Sequence, residues 1–320
     1  MHFLLTGGAG FIGSHLTEQL LATGHSVVCI DNLDDYYSSD LKRSNIAPFH
    51  RHHLYTFIEG DIRNGILLES LLQKNSFDMV IHLAARAGVR PSVENPSLYV
   101  DVNVNGTLTL LEAMRQAQVT KIVMASSSSV YGNSSTIPFT EADACDRPLS
   151  AYAASKRAAE LLAHTYYHLH GFDITCLRFF TVYGPRQRPE MAISQFTASI
   201  SNGYPITLYG DGSTARDYTY VTDIVSGVLA AIKNLGGFNI YNIGGSAPVT
   251  LLSLIQHIEK GLGSKAVINW QPMQPGDVEQ TYADLSLARK LLHYEPTISI
   301  EKGIEQYIIW FHQNNTLTML

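Results

Sequence analysis

An apolar run, Phe3–Thr6, passes directly into Gly7-Gly8-Ala9-Gly10-Phe11-Ile12-Gly13, and these glycines open a helix-like pattern over Phe11–Thr23. Glycine at position 7 permits a tight turn. At position 10 it lets backbone approach a pyrophosphate, and at 13 it lets helix and strand pack closely. The unpaired N–H groups and the dipole at the start of such a helix favour a negatively charged ligand. Asp31 ends the next apolar run, Ser26–Asp31, eighteen residues beyond Gly13. A carboxylate there accepts hydrogen bonds from an adenosine ribose 2′-OH and repels a 2′-phosphate, so the pattern points to NAD rather than NADP.

Further strand-like runs at Tyr55–Glu59, Met79–Leu83, Lys121–Ser126 and Ile174–Phe180 alternate with helical patterns at Leu67–Lys74, Val104–Gln116 and Ala151–His170. Alternation of this kind builds βαβ units, and a continuous apolar run such as Met79-Val80-Ile81-His82-Leu83 suits a strand buried on both faces. The expected fold is α/β, a Rossmann-type doubly wound parallel sheet over residues 1–180. From Tyr183-Gly184-Pro185 onward the elements shorten and Pro, Gly and Asn increase. This predicts a smaller C-terminal α/β substrate-binding domain over 181–218 and 244–320. Residues 219–243, with a helix at Val221–Asn234 and a buried strand at Phe238–Ile243, are expected to return to the first sheet.

Of 320 residues, 45% are hydrophobic and 16% charged, which supports a packed core and excludes a disordered chain. The net charge of −6, with no Lys/Arg-rich run, argues against a nucleic-acid surface. Cys29, Cys145 and Cys176 lack CxxC spacing, so neither a disulfide framework nor a cysteine zinc site is expected, and a reducing compartment fits. No apolar stretch approaches a membrane span, and the N-terminus reads as a strand rather than a signal peptide, so a cytoplasmic protein is expected. His50-Arg51-His52-His53 has no second ligand group at helical spacing and reads as a solvated loop; no metal is expected.

Tyr152-Ala153-Ala154-Ser155-Lys156 places a phenol and an ammonium four residues apart on one helix face. A phenol titrating near 10 is a poor base at neutral pH, and a neighbouring lysine together with the positive nicotinamide ring favours the phenolate. A phenolate at Tyr152 could then remove a hydroxyl proton while the carbon bearing that hydroxyl loses hydride to NAD. Ser126-Ser127-Ser128-Ser129 ends the fifth strand-like run, the end at which open α/β sheets bind ligands.

The GxxGxxG spacing, Asp61-Ile62, Leu83-Ala84-Ala85 and the YxxxK segment together resemble the extended short-chain dehydrogenase/reductase superfamily, in its branch of nucleotide-sugar epimerases and dehydratases. The resemblance implies a cofactor site of Gly7, Gly10, Phe11, Ile12, Gly13, Asp31, Asn32, Asp61, Ile62, Leu83, Ala84, Ala85, Asn103, Tyr152 and Lys156. It implies Tyr152, Lys156 and Ser127 as catalytic residues, with Ser127 hydrogen-bonded to the reacting sugar hydroxyl. Dehydratases and decarboxylases of the family carry an acid two positions before the equivalent of Tyr131. Ser129 stands there, preceded by Ser128, which favours plain epimerisation.

The segments Ala84–Pro96, Leu177–Pro185 and Arg188–Ala192 resemble the UDP-glucuronate 4-epimerases of that branch. This implies a positive rim of Arg90, Ser92 and Arg188 near the sugar, and a carboxylate held by Ser128, Ser129 and Thr181. By the same resemblance Tyr209 stacks on the base, Arg216 pairs with the substrate diphosphate and Asp277 accepts from the uridine ribose. The implied reaction is 4-epimerisation of a UDP-sugar through a 4-keto intermediate, by a homodimer formed across the Val104–Gln116 and Ala151–His170 helices. A UDP-glucose/UDP-galactose or N-acetylhexosamine 4-epimerase remains open. So does a non-catalytic NAD-binding regulator, although such a protein should have lost Tyr152 or Lys156.

Overall fold

The computed structural model describes residues 1–134, 136–272 and 278–314. In chain order the strands are β1 (His2–Thr6), β2 (Ser26–Asp31), β3 (Tyr55–Glu59), β4 (Met79–His82), β5 (Lys121–Ser127), β6 (Asp173–Phe179), β7 (Thr181–Tyr183), β8 (Ile206–Tyr209), β9 (Ala215–Tyr220), β10 (Phe238–Ile243), β11 (Pro248–Thr250) and β12 (Ile268–Gln271). Seven of them form one parallel sheet in the order β10-β6-β5-β4-β1-β2-β3. The chain builds outward from β1 through β2 to β3, then restarts on the other side at β4. The strand order therefore reverses between β1 and β4, and such a switch opens a crevice at the carboxyl ends of the strands.

Alternate residues of a strand face opposite sides of a sheet, and here both sides are buried. Phe3, Leu5, Val27, Cys29, Met79 and Ile81 pack with Leu16 and Leu20 of the helix Phe11–Ala22 and with Ile224 and Val228 of the helix Val221–Lys233. Leu4, Val28, Ile30, Val80, Ile122 and Ile174 point the other way. They meet Leu68 and Leu72 of Gly65–Lys74, Leu110 and Met114 of Gly106–Gln116, and Ala159 and Ala163 of Ala151–His170.

The remaining strands form a three-stranded sheet, β11-β9-β7, and a pair, β12-β8. They carry the helices Ala192–Ser201, Leu251–Leu262 and Ile300–Gln313. These helices are not foreseen above. Two details differ from the sequence reading. Strand β4 stops at His82, one residue early, because Leu83 already turns into the crevice. The helix expected from Val104 begins at Gly106 and is preceded by a π-helical turn, Asp101–Asn105, which continues the short helix Pro96–Val100. Among the described residues no helix is long and apolar enough to cross a membrane.

Candidate active site

The crevice at the switch point is lined from both halves of the sheet. Gly7 turns there at φ +74°, a conformation that favours glycine, and a Cβ on it would lie 2.6 Å from the Ala84 nitrogen. A Cβ on Gly13 would lie 2.3 Å from the Gly7 carbonyl oxygen, closer than real contacts allow. Gly10 caps the helix Phe11–Ala22 without a side chain, so the first-turn N–H groups of Phe11, Ile12 and Gly13 open onto the crevice. A cradle of bare backbone and unpaired donors fits a dinucleotide pyrophosphate.

Asp31 ends β2 at the crevice wall. Burial pushes its carboxyl up, and hydrogen bonds from the Leu33 N–H (2.9 Å) and the Ala9 N–H (3.1 Å) oppose that. Each oxygen keeps a lone pair for a ribose hydroxyl. Asn32 donates to Asp61 at 2.9 Å, and Asp61 is held at about 2, chiefly by its hydrogen bonds from the Arg63 guanidinium. Ile62, Leu83, Ala84 and Ala85 line the same crevice. Asn103 does not reach it. Its amide is bonded to the Arg86 backbone on both sides (2.7 and 2.9 Å) and to the Ser155 hydroxyl at 2.9 Å, so it braces the turn after β4 against the Tyr152 helix.

Tyr152 stands in the first turn of Ala151–His170, whose N-cap Ser150 accepts from the Ala153 N–H at 3.1 Å. Lys156 follows one turn later and donates to the Ala125 carbonyl of β5 at 3.0 Å. Burial lowers the lysine to about 8, although the Glu160 charge works against this. Burial pushes the Tyr152 phenol up, and the Ser127 hydroxyl and then the Arg188 charge oppose that shift. The YxxxK spacing predicts lowering by Lys156; the groups of this chain that lower the phenol are instead Ser127 and Arg188. The Ser127 hydroxyl accepts from the Ser129 N–H and donates to the Ser129 hydroxyl, both at 3.1 Å. Ser128, Ser129, Thr181 and Arg188 lie on the wall beside them, and Arg188 pairs with Glu190 at 3.1 Å.

A second, larger cavity of about 910 Å³ opens beyond Tyr37, with Arg90 and Tyr209 in its wall. The Arg90 guanidinium lies 5.2 Å from the Tyr209 ring centre. Arg216, on β9, donates to the Ala215 carbonyl at 2.9 Å. Ser92 departs from the expected rim: it is fully buried and donates to the Val89 carbonyl at 2.5 Å inside its own short helix, Val89–Glu94. Asp277 lies outside the described residues.

Sequence reasoning missed Tyr36, Tyr37 and Lys42, which line the crevice from the segment after Asp31. Arg86 ties that segment down by pairing with Asp34 and stacking 4.4 Å from the Tyr36 ring centre. The one available signal was position, since the segment follows a strand end at the ligand-binding edge of the sheet. Also unforeseen is the string behind the crevice, in which buried His82 is bonded to Thr6 (2.7 Å) and Thr107 (3.0 Å) and held neutral, at about 3, by burial.

Residues 4–307 match the family described as GDP-mannose 4,6-dehydratase. A UDP-glucuronate 4-epimerase of Thermodesulfobacterium geofontis is 45% identical over 314 residues, covering 98% of this chain and 97% of that protein. Among solved structures, the UDP-glucuronic acid 4-epimerase of Bacillus cereus, in complex with UDP-glucuronic acid and NAD, superposes with a TM-score of 0.92 at 39% identity, covering 98% of this chain and 99% of the other. The UDP-glucose 4-epimerase of Thermotoga maritima, with UDP-glucose, superposes at 0.91 with 30% identity, covering 98% and 100%.

Proposed function

The chain belongs to the GDP-mannose 4,6-dehydratase family of extended short-chain dehydrogenases/reductases, and we propose that it is an NAD-dependent isomerase that interconverts UDP-glucuronate and UDP-galacturonate by inversion at C4. One observation carries the reading. Tyr152 and Ser127 meet in a crevice that is also lined by Ser128, Ser129, Thr181 and Arg188, three hydroxyls and a guanidinium paired with Glu190. That set suits a carboxylated sugar, and Ser129 offers no carboxyl to protonate a leaving C6 hydroxyl.

The backbone of Gly7, Gly10 and Gly13 with Phe11 and Ile12 would hold the NAD pyrophosphate, Asp31 and Asn32 its ribose, and Asp61 and Ile62 its adenine. When bound there, NAD would supply a reversible hydride acceptor for C4 and would not be consumed. Tyr152 takes the O4 proton, and Ser127 holds O4 by a hydrogen bond. Lys156, tied to the Ala125 carbonyl, anchors the helix that carries the phenol against β5. After the keto sugar turns about its diphosphate bonds, its other face is the one open to the returning hydride, and the same phenol gives the proton back to O4. The intermediate is a β-keto acid, which loses CO2 fastest when the C5–carboxylate bond stands perpendicular to the keto plane. Ser128, Ser129 and Thr181 hold the carboxylate out of that orientation, and Arg188 pairs with it. Arg90, Tyr209, Arg216 and Asp277 serve the uridine diphosphate.

In this reading residues 1–180 with 219–243 carry the cofactor, and 181–218 with 244–320 carry the nucleotide sugar. The active form is a homodimer across the Gly106–Gln116 and Ala151–His170 helices, where Leu108 and Leu161 are exposed at 37% and 53%. A reducing, cytoplasmic setting is supported by three buried cysteines, all free thiols. NMR of the products formed from UDP-glucuronate and from UDP-glucose, without added NAD, tests the substrate. UDP-galacturonate is the expected main product, and preferential conversion of UDP-glucose would overturn the uronate assignment.

A further inference from the structure

Behind the catalytic wall, buried polar groups cross the sheet from the Tyr152 helix toward β10. Glu160, one turn beyond Lys156, and Arg178 of β6 are 0% and 1% exposed. Arg178 donates through Nε to Oε1 and through Nη2 to Oε2 of Glu160, both at 2.9 Å, and Arg157 adds a bond to Oε2 at 3.0 Å. The remaining donor is Ser126, whose hydroxyl reaches Oε1 at 2.6 Å. Ser126 lies on β5 directly before Ser127. On the far side, Arg178 donates to the Tyr131 hydroxyl at 3.0 Å, and that hydroxyl donates to Asn242 of β10 at 2.7 Å.

A buried ion pair is a weak source of stability, because desolvation offsets the attraction, and an apolar pair would fill the same space. This one lies where the helix of Tyr152 and Lys156 must keep register with the strand end carrying Ser127. We propose that Glu160 is a positioning residue of the reaction: through Ser126 it fixes the end of β5, and through the helix turn it shares with Lys156 it sets where phenol and ammonium stand against Ser127. The inference rests on the functional reading above.

The electrostatics agree with this geometry. Burial raises the Glu160 carboxyl, but Arg178, Ser126 and Arg157 outweigh that and hold it below the usual range, so it is an anion. The groups facing Lys156 are Glu160 from its own helix, Cys176 from β6 and His82 from β4. Burial keeps the Cys176 thiol well above its ordinary value and keeps His82 neutral, which leaves Glu160 as the anion that favours a charged lysine.

The test is kcat and KM against pH for wild type, Glu160→Gln and Ser126→Ala, with folding followed by circular dichroism. Glu160→Gln removes the anion, so Lys156 loses its proton at lower pH. The alkaline limb of its kcat profile should move down in pH, with kcat at neutral pH reduced about tenfold and KM within about twofold of wild type. Ser126→Ala deletes only the tie to β5 and should lower kcat roughly three- to tenfold, with KM and the alkaline limb unmoved. A folded Glu160→Gln protein with an unmoved alkaline limb, or Ser126→Ala with wild-type kcat, would overturn the proposal. Should Glu160→Gln not fold, Ser126→Ala decides alone. Wild type inert toward both UDP-glucuronate and UDP-glucose would overturn the functional reading itself, whereas active wild type with unmoved variants overturns only the positioning role.

Discussion

Lys156 is bonded to the carbonyl of Ala125 at 3.0 Å, two residues before Ser127 on β5. The ammonium thereby fastens the Tyr152 helix to the strand that presents the serine, and the phenol and the hydroxyl meet across that junction. Proton transfer needs such a fixed approach more than it needs any single perturbed pKa, since misplacing a positioned group by an ångström costs about as much as removing it.

Tyr152→Phe keeps the ring and its edge contact with Tyr99, whose ring centre is 6.1 Å away, but removes the proton acceptor. Turnover should fall by roughly 10²–10⁴, with thermal stability and NAD affinity unchanged. A coupled assay beside isothermal titration measures all three quantities, and near-wild-type turnover would take Tyr152 out of the mechanism.

Lys156 carries a pH signature in the cofactor-free protein. Burial lowers its pKa from 10.5 to about 8, so the folded state binds this proton more weakly than the unfolded chain does. Below about pH 8 the full cost of burying the charge is present. As pH rises from about 8 to 10.5 the folded protein sheds the proton first and the cost disappears. Lys156→Met should therefore be more stable than wild type at pH 7, by about 1–3 kcal/mol after losing the bond to Ala125, and the gap should close above pH 10. Urea denaturation at pH 7 and pH 10 reads it, and a gap independent of pH would contradict it.

Asp31→Asn keeps a similar shape but only one acceptor oxygen, so it can take the bond from either the Ala9 or the Leu33 N–H and not both, and it removes the negative charge at the end of β2. NADP should gain on NAD by about tenfold, the order expected when one charge–charge repulsion is relieved. Titration with both cofactors showing the wild-type preference would remove the ribose assignment.

Thr181→Val replaces one hydroxyl at the start of β7 with a methyl group of nearly the same shape. On the proposed reading this deletes one hydrogen bond to the sugar carboxylate, about 0.5–1.5 kcal/mol, enough to change the partitioning of a β-keto acid several-fold. The variant should release CO2 and a 4-keto-pentose nucleotide from UDP-glucuronate, with NADH left on the protein. Slower epimerisation free of decarboxylation, read by mass spectrometry of the nucleotides, would count against this role for Thr181.

Much of this was legible in the chain. The β1–Gly7–Gly13 passage, Asp31 and the apolar runs of β2 to β6 need only steric and burial rules, and each stands in the sheet within a residue or two of the expected range. Tyr152, Lys156 and the serine run converge because the helix Ala151–His170 and the carboxyl end of β5 meet at the crevice. What escaped depends on partners distant in sequence. The π-helical turn at Asp101–Asn105 leaves no periodic mark, and Asn103 is drawn to Arg86 and Ser155 rather than to the crevice. Ser92 satisfies its hydroxyl within its own helix, a contact no spacing rule separates from a ligand contact. Tyr36 and Tyr37 sit in a segment with neither helical nor strand period. Glu160 lies on a helix face that looks like any charged i, i+4 position until Arg178 and Ser126 are seen to close around it.

The central claim is that C4 is inverted by removing and returning its own hydrogen. UDP-glucuronate deuterated at C4 tests it directly, by NMR and mass spectrometry of the UDP-galacturonate formed in ordinary water. Deuterium should stay at C4 of the product, with none appearing in solvent and no solvent hydrogen at C5. Loss of the label to water would show that C4 gives up its hydrogen as a proton, and exchange at C5 would point to elimination and re-addition across C4–C5; either result would contradict the claim.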